Sequence, residues 1–478
     1  MPALLLRCLL PVLLGCCLPA AARAQAQQLR ARYDAVSQRL LAAFNTGDPL
    51  NLYALTAPAY QARMSAAAFA AGTRKFYVQT GAWETVQFRE AQAEGLTYTA
   101  RFERETEILF LQLDEQDRIV RFHFKPEPVV RTTKAGRVPT DNPLATGTDS
   151  LVERLVRPYI QQGHTAGLAL AVIERGTVRC YSYGEVQRGS GRLPDPRTTI
   201  FEIGSVTKTF TALLLARQVL RGQMRLPDPV NRYLPDSLPT LAYQGSPITL
   251  LTLANHTSGL PRLPANIYQG SVDPADPYRH YGPDSLYRFL MRYRPAERPG
   301  SQFAYSNLGA GLLGHLLARQ AHRSFAQLVR RRLCRPLDLP DTWLELPDAA
   351  RPRLAQGYDE KGAPTAAWHL AALQGSGAVK STLRDMVRYT RAQLGQVRTP
   401  LARAIELSHQ ETFRSPDHAM ALGWRMARQP ARTYWHHSGG TGGARSFVGF
   451  DVQHQRGVVV LANAAEDVTA IGQALLER

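Results

Sequence analysis

Phe201-Glu202-Ile203-Gly204-Ser205-Val206-Thr207-Lys208 is a short apolar run that ends in glycine and passes into a helical pattern reaching about Arg221. Ser205 and Lys208 stand at i and i+3, so a helix beginning at Ser205 puts both side chains on one face. The N-terminus of that helix adds positive potential and free N–H groups. Such surroundings favour an alkoxide-like serine with an oxyanion beside it. Lysine, unlike arginine, can have its pKa lowered until it works as a base. Only 6 of the 57 basic residues are Lys, so a Lys at this place is informative. It is also the only S-x-x-K in the chain. In isolation the pattern fits a capping Ser and a solvated Lys better.

Two further motifs carry chemistry. Tyr305-Ser306-Asn307 is the only Y-x-N present. A phenol acts as a base or proton shuttle where cations lower its pKa, and the Asn amide can donate to a substrate carbonyl. Alone, the segment reads as a core Tyr followed by a helix-capping Asn. His437-Ser438-Gly439-Gly440 follows the strand-like Tyr434-Trp435-His436. Glycine at a strand edge lets a substrate backbone approach closely; alone, it reads as a hairpin turn. His436 and His437 are strand neighbours, face opposite sides and are poorly placed to chelate one metal. With no H-E-x-x-H either, no metal and no other cofactor is expected. Gly309 to Gly314 fits G-x-G-x-x-G, but it follows the Tyr305 motif rather than a strand. Its neighbours Leu308, Leu312, Leu313 and Leu316 make it a packing helix, not a dinucleotide site. No G-x-S-x-G occurs, which excludes the α/β-hydrolase reading.

In this order and at this wide spacing, S-x-x-K, Y-x-N and H-x-G resemble the penicillin-recognising serine hydrolases. Y-x-N points to the branch that holds class C β-lactamases, D-amino-acid peptidases and esterases. Asn255-His256-Thr257-Ser258-Gly259-Leu260-Pro261 resembles that family's H-T-S-G-L-P loop. Pro336-Leu337 with Asp341-Thr342, and Gly375 to Asp385, resemble two more of its segments, and Leu422-Gly423-Trp424 precedes the last motif as in the family. The resemblance covers about Asp149 to Arg478. It implies Ser205 as the acylated nucleophile and Lys208 as the holder of the proton network. It implies Tyr305 as proton relay, with His437 beside it. Asn307, Gly439 and Gly440 would bind substrate, and the N–H groups of Ser205 and Gly440 would form the oxyanion hole, a donor typically worth ~3 kcal/mol of barrier. Whether Lys208 or Tyr305 takes the first proton is left open. The family's lactamases carry Lys where His437 stands. A His is largely neutral near pH 7, which points towards peptides or esters rather than efficient β-lactam turnover.

Around these motifs the chain is organised in four pieces. Met1 to Arg7 is a short positive start, Cys8 to Leu18 is apolar, and Ala22-Arg23-Ala24 has the form of a signal-peptidase site. Residues 1–24 therefore read as a secretory signal. Leu13-Leu14-Gly15-Cys16 makes a lipid anchor at Cys16 the alternative. Residues 25–128 place Tyr33, Val36, Leu40 and Phe44 on one helical face, then add a helix over about Ala62 to Val78. Four period-two runs follow, at Trp83 to Phe88, Leu96 to Phe102, Ile108 to Leu113 and Ile119 to Phe124. Helices before a meander resemble the NTF2-like cone. Residues 129–148 read as a linker. Residues 149–478 form the hydrolase domain: a helix from Asp149, strands at Leu168 to Arg175 and Val178 to Gly184, three late strands and a closing helix. The class is α+β, an NTF2-like cone plus a β-lactamase/transpeptidase-like sheet closed by both ends of the domain.

Composition sets the outer limits. The 478 residues, 44% hydrophobic and 20% charged, exclude wholesale disorder. The net charge of +18 permits polyanion binding. No nucleic-acid module accompanies it, even at the dense Arg330, Arg331, Arg332 and Arg335. No run after the N-terminus is long enough to span a membrane. Cys180 and Cys334 are expected to stay unpaired. The combined expectation is an exported, periplasmic or secreted serine hydrolase acting on a D-amino-acid peptide or small ester. The alternatives are a slow-turnover penicillin-binding or muropeptide-sensing domain, or a true β-lactamase. A peptide or small molecule is the expected partner.

Overall fold

The computed structural model describes residues 20–103, 106–126, 138–269, 272–273, 275–430 and 432–478. Most of the expected signal and the first part of the expected linker lie outside these residues. Two compact units are present, one of residues 1–130 with 265–274, the other of 131–264 with 275–478.

In the first unit, helix α1 (Ala20–Asn45) runs through Ala22-Arg23-Ala24, beyond the expected start at residue 27. It buries Tyr33, Val36, Leu40 and Phe44. Helix α2 (Ala66–Thr80) begins four residues later than its apolar pattern suggested, because the Ser65 side chain caps it by accepting from the Ala68 N–H. Strands β1 (Trp83–Ala91), β2 (Leu96–Phe102), β3 (Thr106–Leu113) and β4 (Ile119–Pro126) form an antiparallel meander. The Asn45 amide ties the end of α1 to the sheet, accepting from the Trp83 N–H at 2.8 Å and donating to its carbonyl at 2.7 Å. The core between helix and sheet is aromatic, with Phe44, Trp83 and Phe102 in mutual ring contact.

The second unit opens with α3 (Gly147–Gln161). Thr146 and Asp149 form a capping box, which moves the start two residues ahead of the expected Asp149. Strands β5 (Gly167–Glu174) and β6 (Thr177–Gly184) form a hairpin. Strand β7 (Ile200–Glu202) leads through the turn Gly204–Val206 into helix α4 (Thr207–Leu220). Helix α5 (Asn307–Gln320) and strand β8 (Lys380–Thr382), which pairs with β7, come next. Helix α6 (Leu383–Gln393) follows directly on β8. The final third supplies β9 (Phe413–Arg414), β10 (Ala419–Met420), β11 (Arg425–Gln429), β12 (Arg432–Gly440), β13 (Arg445–Asp451), β14 (Arg456–Ala462) and helix α7 (Thr469–Glu477).

One eight-stranded antiparallel sheet runs β9-β10-β11-β12-β13-β14-β5-β6, so the early hairpin closes onto the last strand. Strands β9 to β11 were not anticipated; β9 and β10, with two residues each, are too short to show a period. Residues from α3, α7 and one sheet face share a core that includes Val152, Val156, Phe447, Val460 and Leu475. Helix α4 is buried almost throughout. It is locked to α6 by Phe210 stacking on Tyr389 at 4.2 Å and by Thr209 bonding the Tyr389 hydroxyl at 2.9 Å. Cys180 is exposed, Cys334 is buried, and both are free. Arg330 of the basic run is structural: it donates to the carbonyls of Leu339 and Pro340 and lies over the Trp343 ring.

Candidate active site

Ser205 occupies the turn between β7 and α4, and one helical turn later Lys208 is buried beneath it. The Lys208 ammonium donates to Ser205 Oγ at 2.9 Å, Asn307 Oδ1 at 2.8 Å and the Ser376 carbonyl at 2.7 Å. Three donors meet three acceptors, which is the arrangement of a protonated lysine. Burial lowers the Lys208 pKa, against the opposing pull of Tyr305. Burial raises that of Tyr305, but the neighbouring charge of Lys208 and hydrogen bonding from Ser205 outweigh it, and the phenol titrates below its ordinary value.

The Tyr305-Ser306-Asn307 segment is held by its own backbone. Ser306, not Asn307, caps α5: its Oγ accepts from the Gly309 N–H at 2.8 Å and donates to the Pro261 carbonyl at 2.7 Å. The N–H groups of Asn307 and Leu308 both donate to the Arg262 carbonyl. Asn307 is thereby free of a capping role, and its side chain turns to Lys208. The glycines of α5 serve packing. A Cβ on Gly311 would sit 2.7 Å from Leu373, and one on Gly314 would sit 2.8 Å from Gly375 Cα. That closeness brings in the segment Ala371–Ser376, whose last carbonyl reaches Lys208.

His437 to Gly440 lie inside strand β12 rather than in a turn. Gly439 has no room for a side chain: a Cβ would stand 2.0 Å from the Ile203 carbonyl oxygen. Gly204 has φ +48°, and a Cβ there would lie 2.5 Å from Gly440 N. The backbone ahead of Ser205 thus presses on Gly440. Replacing Gly204 by Ala is expected to push Gly440 away and lower kcat about 100-fold, the cost of one oxyanion donor. Enzyme assay alongside urea unfolding separates that loss from the backbone strain.

Strand alternation puts the two histidines on opposite faces. His436 stacks on Phe447, while His437 faces Tyr305 at 6.4 Å between ring centroids. His437 Nδ1 lies 2.6 Å from the Ser438 carbonyl. A carbonyl only accepts, so Nδ1 carries the proton and Nε2 is an acceptor. Burial and the Lys208 charge hold the His437 pKa well below the usual range, so the ring is neutral. His256, quoted only as part of a loop, lies against Tyr305 at 4.5 Å, and its Nδ1 accepts from the Ser306 N–H. Among the described residues no cluster of three or more His, Cys, Asp or Glu is placed to hold a metal ion.

The cleft above Ser205 is lined by Leu263, Tyr278, Asn307, Trp368, Leu370, Leu373, Ser376, Gly377, Gly440 and Thr441. Trp368 and Tyr278 meet edge to face at 5.0 Å. The Trp368 wall is anchored from below. Its N–H donates to Glu202 Oε1 at 2.9 Å, the other Glu202 oxygen accepts from Thr441 Oγ1 at 3.0 Å, and Lys380 stands 4.0 Å from the carboxylate. The stretch Pro261 to Pro299 is loop-rich, and spacing says little about specificity there. That region supplies Leu263 and Tyr278, but the 368–373 wall carried no sequence signal.

Residues 152–476 match the Beta-lactamase family. A beta-lactamase from Escherichia coli (strain K12) is 31% identical over 349 residues, covering 66% of this chain and 88% of that protein. Among solved structures, the D-alanine carboxypeptidase AmpC from Burkholderia cenocepacia is 29% identical, with a TM-score of 0.57 over 66% of this chain and 94% of that one. A class C beta-lactamase superposes with a TM-score of 0.61 at 23% identity over 69% of this chain and 96% of that one, a likeness of fold. The chain belongs to the Beta-lactamase family of serine hydrolases.

Proposed function

We propose that the protein is an exported serine hydrolase that cleaves an amide or ester through an acyl-enzyme on Ser205, with D-amino-acid peptides or small esters as substrates. The observation that carries this reading is the Lys208 ammonium, whose three donors are taken by Ser205, Asn307 and the Ser376 carbonyl. Since Ser205 Oγ accepts from Lys208, its own proton is free for Tyr305, whose pKa is lowered. Tyr305 is therefore the first base and Lys208 the fixed cation. Ser205 Oγ attacks the substrate carbonyl carbon as its proton moves to the Tyr305 oxygen. The carbonyl π electrons go to oxygen, which the N–H groups of Ser205 and Gly440 stabilise. The bond to the leaving group then breaks, and Tyr305 returns the proton to the departing nitrogen or oxygen. A water repeats the sequence and releases the acid.

A short-chain chromogenic ester and a D-alanyl-D-alanine peptide, offered to the mature chain, test this reading. Turnover of either that is absent in the Ser205→Ala variant supports it. The lactamase relatives favour β-lactam hydrolysis as the second reading. A neutral His437 weighs against it, and a chromogenic cephalosporin decides. Slow release of the trapped acyl group would mark a penicillin-binding or muropeptide-sensing role.

The Tyr305–Lys208 pair is active with one proton, as phenolate and ammonium. As pH falls, a second proton neutralises Tyr305 and activity drops; as pH rises, Lys208 loses its proton and activity drops again. Both limbs of kcat/KM should lie below the ordinary values of 10.0 and 10.5 for the free groups. Tyr305→Phe should remove the acid limb and lower kcat/KM by about 10³-fold. A pH–rate profile of parent and variant checks both.

In the remaining chain, the positive, apolar and small-residue pattern of residues 1–24 supports export. Among the described residues no helix is long and apolar enough to cross a membrane. The order of helices and meander in the first unit supports an NTF2-like cone.

A further inference from the structure

The far end of the large sheet carries a cavity of about 330 Å³, a size that takes small ligands. The β5–β6 turn supplies Glu174 and Arg175 to its walls, and the β13–β14 turn supplies Asp451 and His454. Arg432 at the start of β12, Arg456 at the start of β14 and Arg478 after α7 complete them. The Arg175 N–H donates to the Gln455 carbonyl at 2.9 Å, so the two turns are joined. Strand β12 runs from Arg432 to Gly440. At about 3.4 Å per residue, that puts Arg432 about 27 Å from Gly440, well away from the catalytic cleft.

The charges in this cavity do not balance. Glu174 accepts from Arg456 at 3.0 Å and from Arg179 at 3.4 Å. Asp451 is buried, and both its oxygens are taken by His454, by the backbone N–H at 3.0 Å and by Nδ1 at 2.7 Å. Arg175, Arg432 and Arg478 have no carboxylate partner among the described residues. Two of them are held by neutral acceptors, Arg432 by the Leu476 carbonyl and Arg478 by the Thr148 hydroxyl. A guanidinium has five N–H donors, so each keeps most of them for a ligand. The Arg175 side chain is exposed and makes no hydrogen bond or ion pair among the described residues. Its backbone stands at φ +49°, a left-handed position that glycine fills without strain, so the turn keeps an arginine here at a conformational cost. Because His454 Nδ1 donates to Asp451, Nε2 of the neutral ring is an acceptor.

We propose that this cavity binds a phosphate group, as inorganic phosphate or as a phosphate monoester. Guanidinium groups pair with phosphate oxygens in the bidentate fork that a carboxylate also accepts. A singly protonated phosphate adds an O–H that His454 Nε2 accepts, whereas sulfate has the same shape and no O–H to offer. The site binds and takes no part in acyl transfer.

Isothermal titration calorimetry of the full chain with inorganic phosphate, glycerol phosphate and sulfate tests this. The expected result is saturable binding of both phosphates and weaker binding of sulfate. Arg175→Gln and Arg432→Gln should each weaken phosphate binding by about tenfold or more, the effect of losing one charge-assisted contact. His454→Phe should erase the preference for phosphate over sulfate. Arg175→Gln removes a side chain that holds nothing in the fold, so its thermal unfolding should match the parent and its loss of binding is read cleanly. No saturable binding of either phosphate overturns the proposal. Binding that both arginine variants leave intact also overturns it, since the ions would then be drawn only by the net charge of +18. Flotation with phosphatidylcholine vesicles, with and without phosphatidic acid, separates two sources of the phosphate. Flotation that needs both phosphatidic acid and Arg175 supports the site with a lipid headgroup as ligand; binding of the soluble phosphates alone supports it with a free one.

Discussion

Ser205→Ala should lower kcat by about 10⁵-fold while leaving the fold intact, the magnitude seen when a nucleophile that works as part of a coupled unit is removed. The size follows from the geometry. Ser205 Oγ accepts from Lys208 and hydrogen-bonds Tyr305, and the proposed attack starts from that oxygen. Without it those groups have nothing to activate, and only the weak catalysis of substrate binding and the oxyanion site remains. The fold should tolerate the change, because the turn is held by contacts that do not involve the Ser205 side chain, with the Ile203 carbonyl accepting from Ser446 Oγ at 2.8 Å and from the Val206 N–H. Steady-state kinetics and circular dichroism on the purified variant check both halves.

Lys208→Met should lower kcat about 10³-fold, and Lys208→Arg should not rescue it. Methionine matches the length of the lysine stem but leaves Ser205 Oγ, Asn307 Oδ1 and the Ser376 carbonyl without their donor. Tyr305 also loses the cation that lowers its pKa, so the acid limb of the pH profile should move up. Arginine fails for a different reason. Its planar fork cannot donate to three acceptors arranged around one nitrogen, and the site at Lys208 is only 3% exposed, too closed for a larger head. Full activity in Lys208→Arg would show that charge alone is needed and would contradict the three-acceptor geometry.

The parts of the site that were legible from sequence are those that a local period places. Ser205 and Lys208 meet because a helical turn spaces them. His436 and His437 diverge because a strand alternates. The closing of the sheet by β5 and β14 followed from where the apolar strands fell in the chain. What escaped depends on tertiary contact. The Ser376 acceptor is a backbone carbonyl, which any residue could supply. Ser306 displaced Asn307 as the cap, a choice between two neighbouring good caps that depends on the Pro261 carbonyl. The Trp368 wall is held by Glu202, 166 residues earlier in the chain.

The central claim is a covalent acyl group on Ser205, and mass spectrometry tests it most directly. The mature chain is mixed with a chromogenic ester or a β-lactam, quenched in acid at short times, and measured intact and after digestion. The account predicts a mass increase equal to the acyl group, located on the peptide that contains Ser205 and missing from Ser205→Ala. Turnover with no adduct at any quench time, or an adduct on another residue, would contradict it.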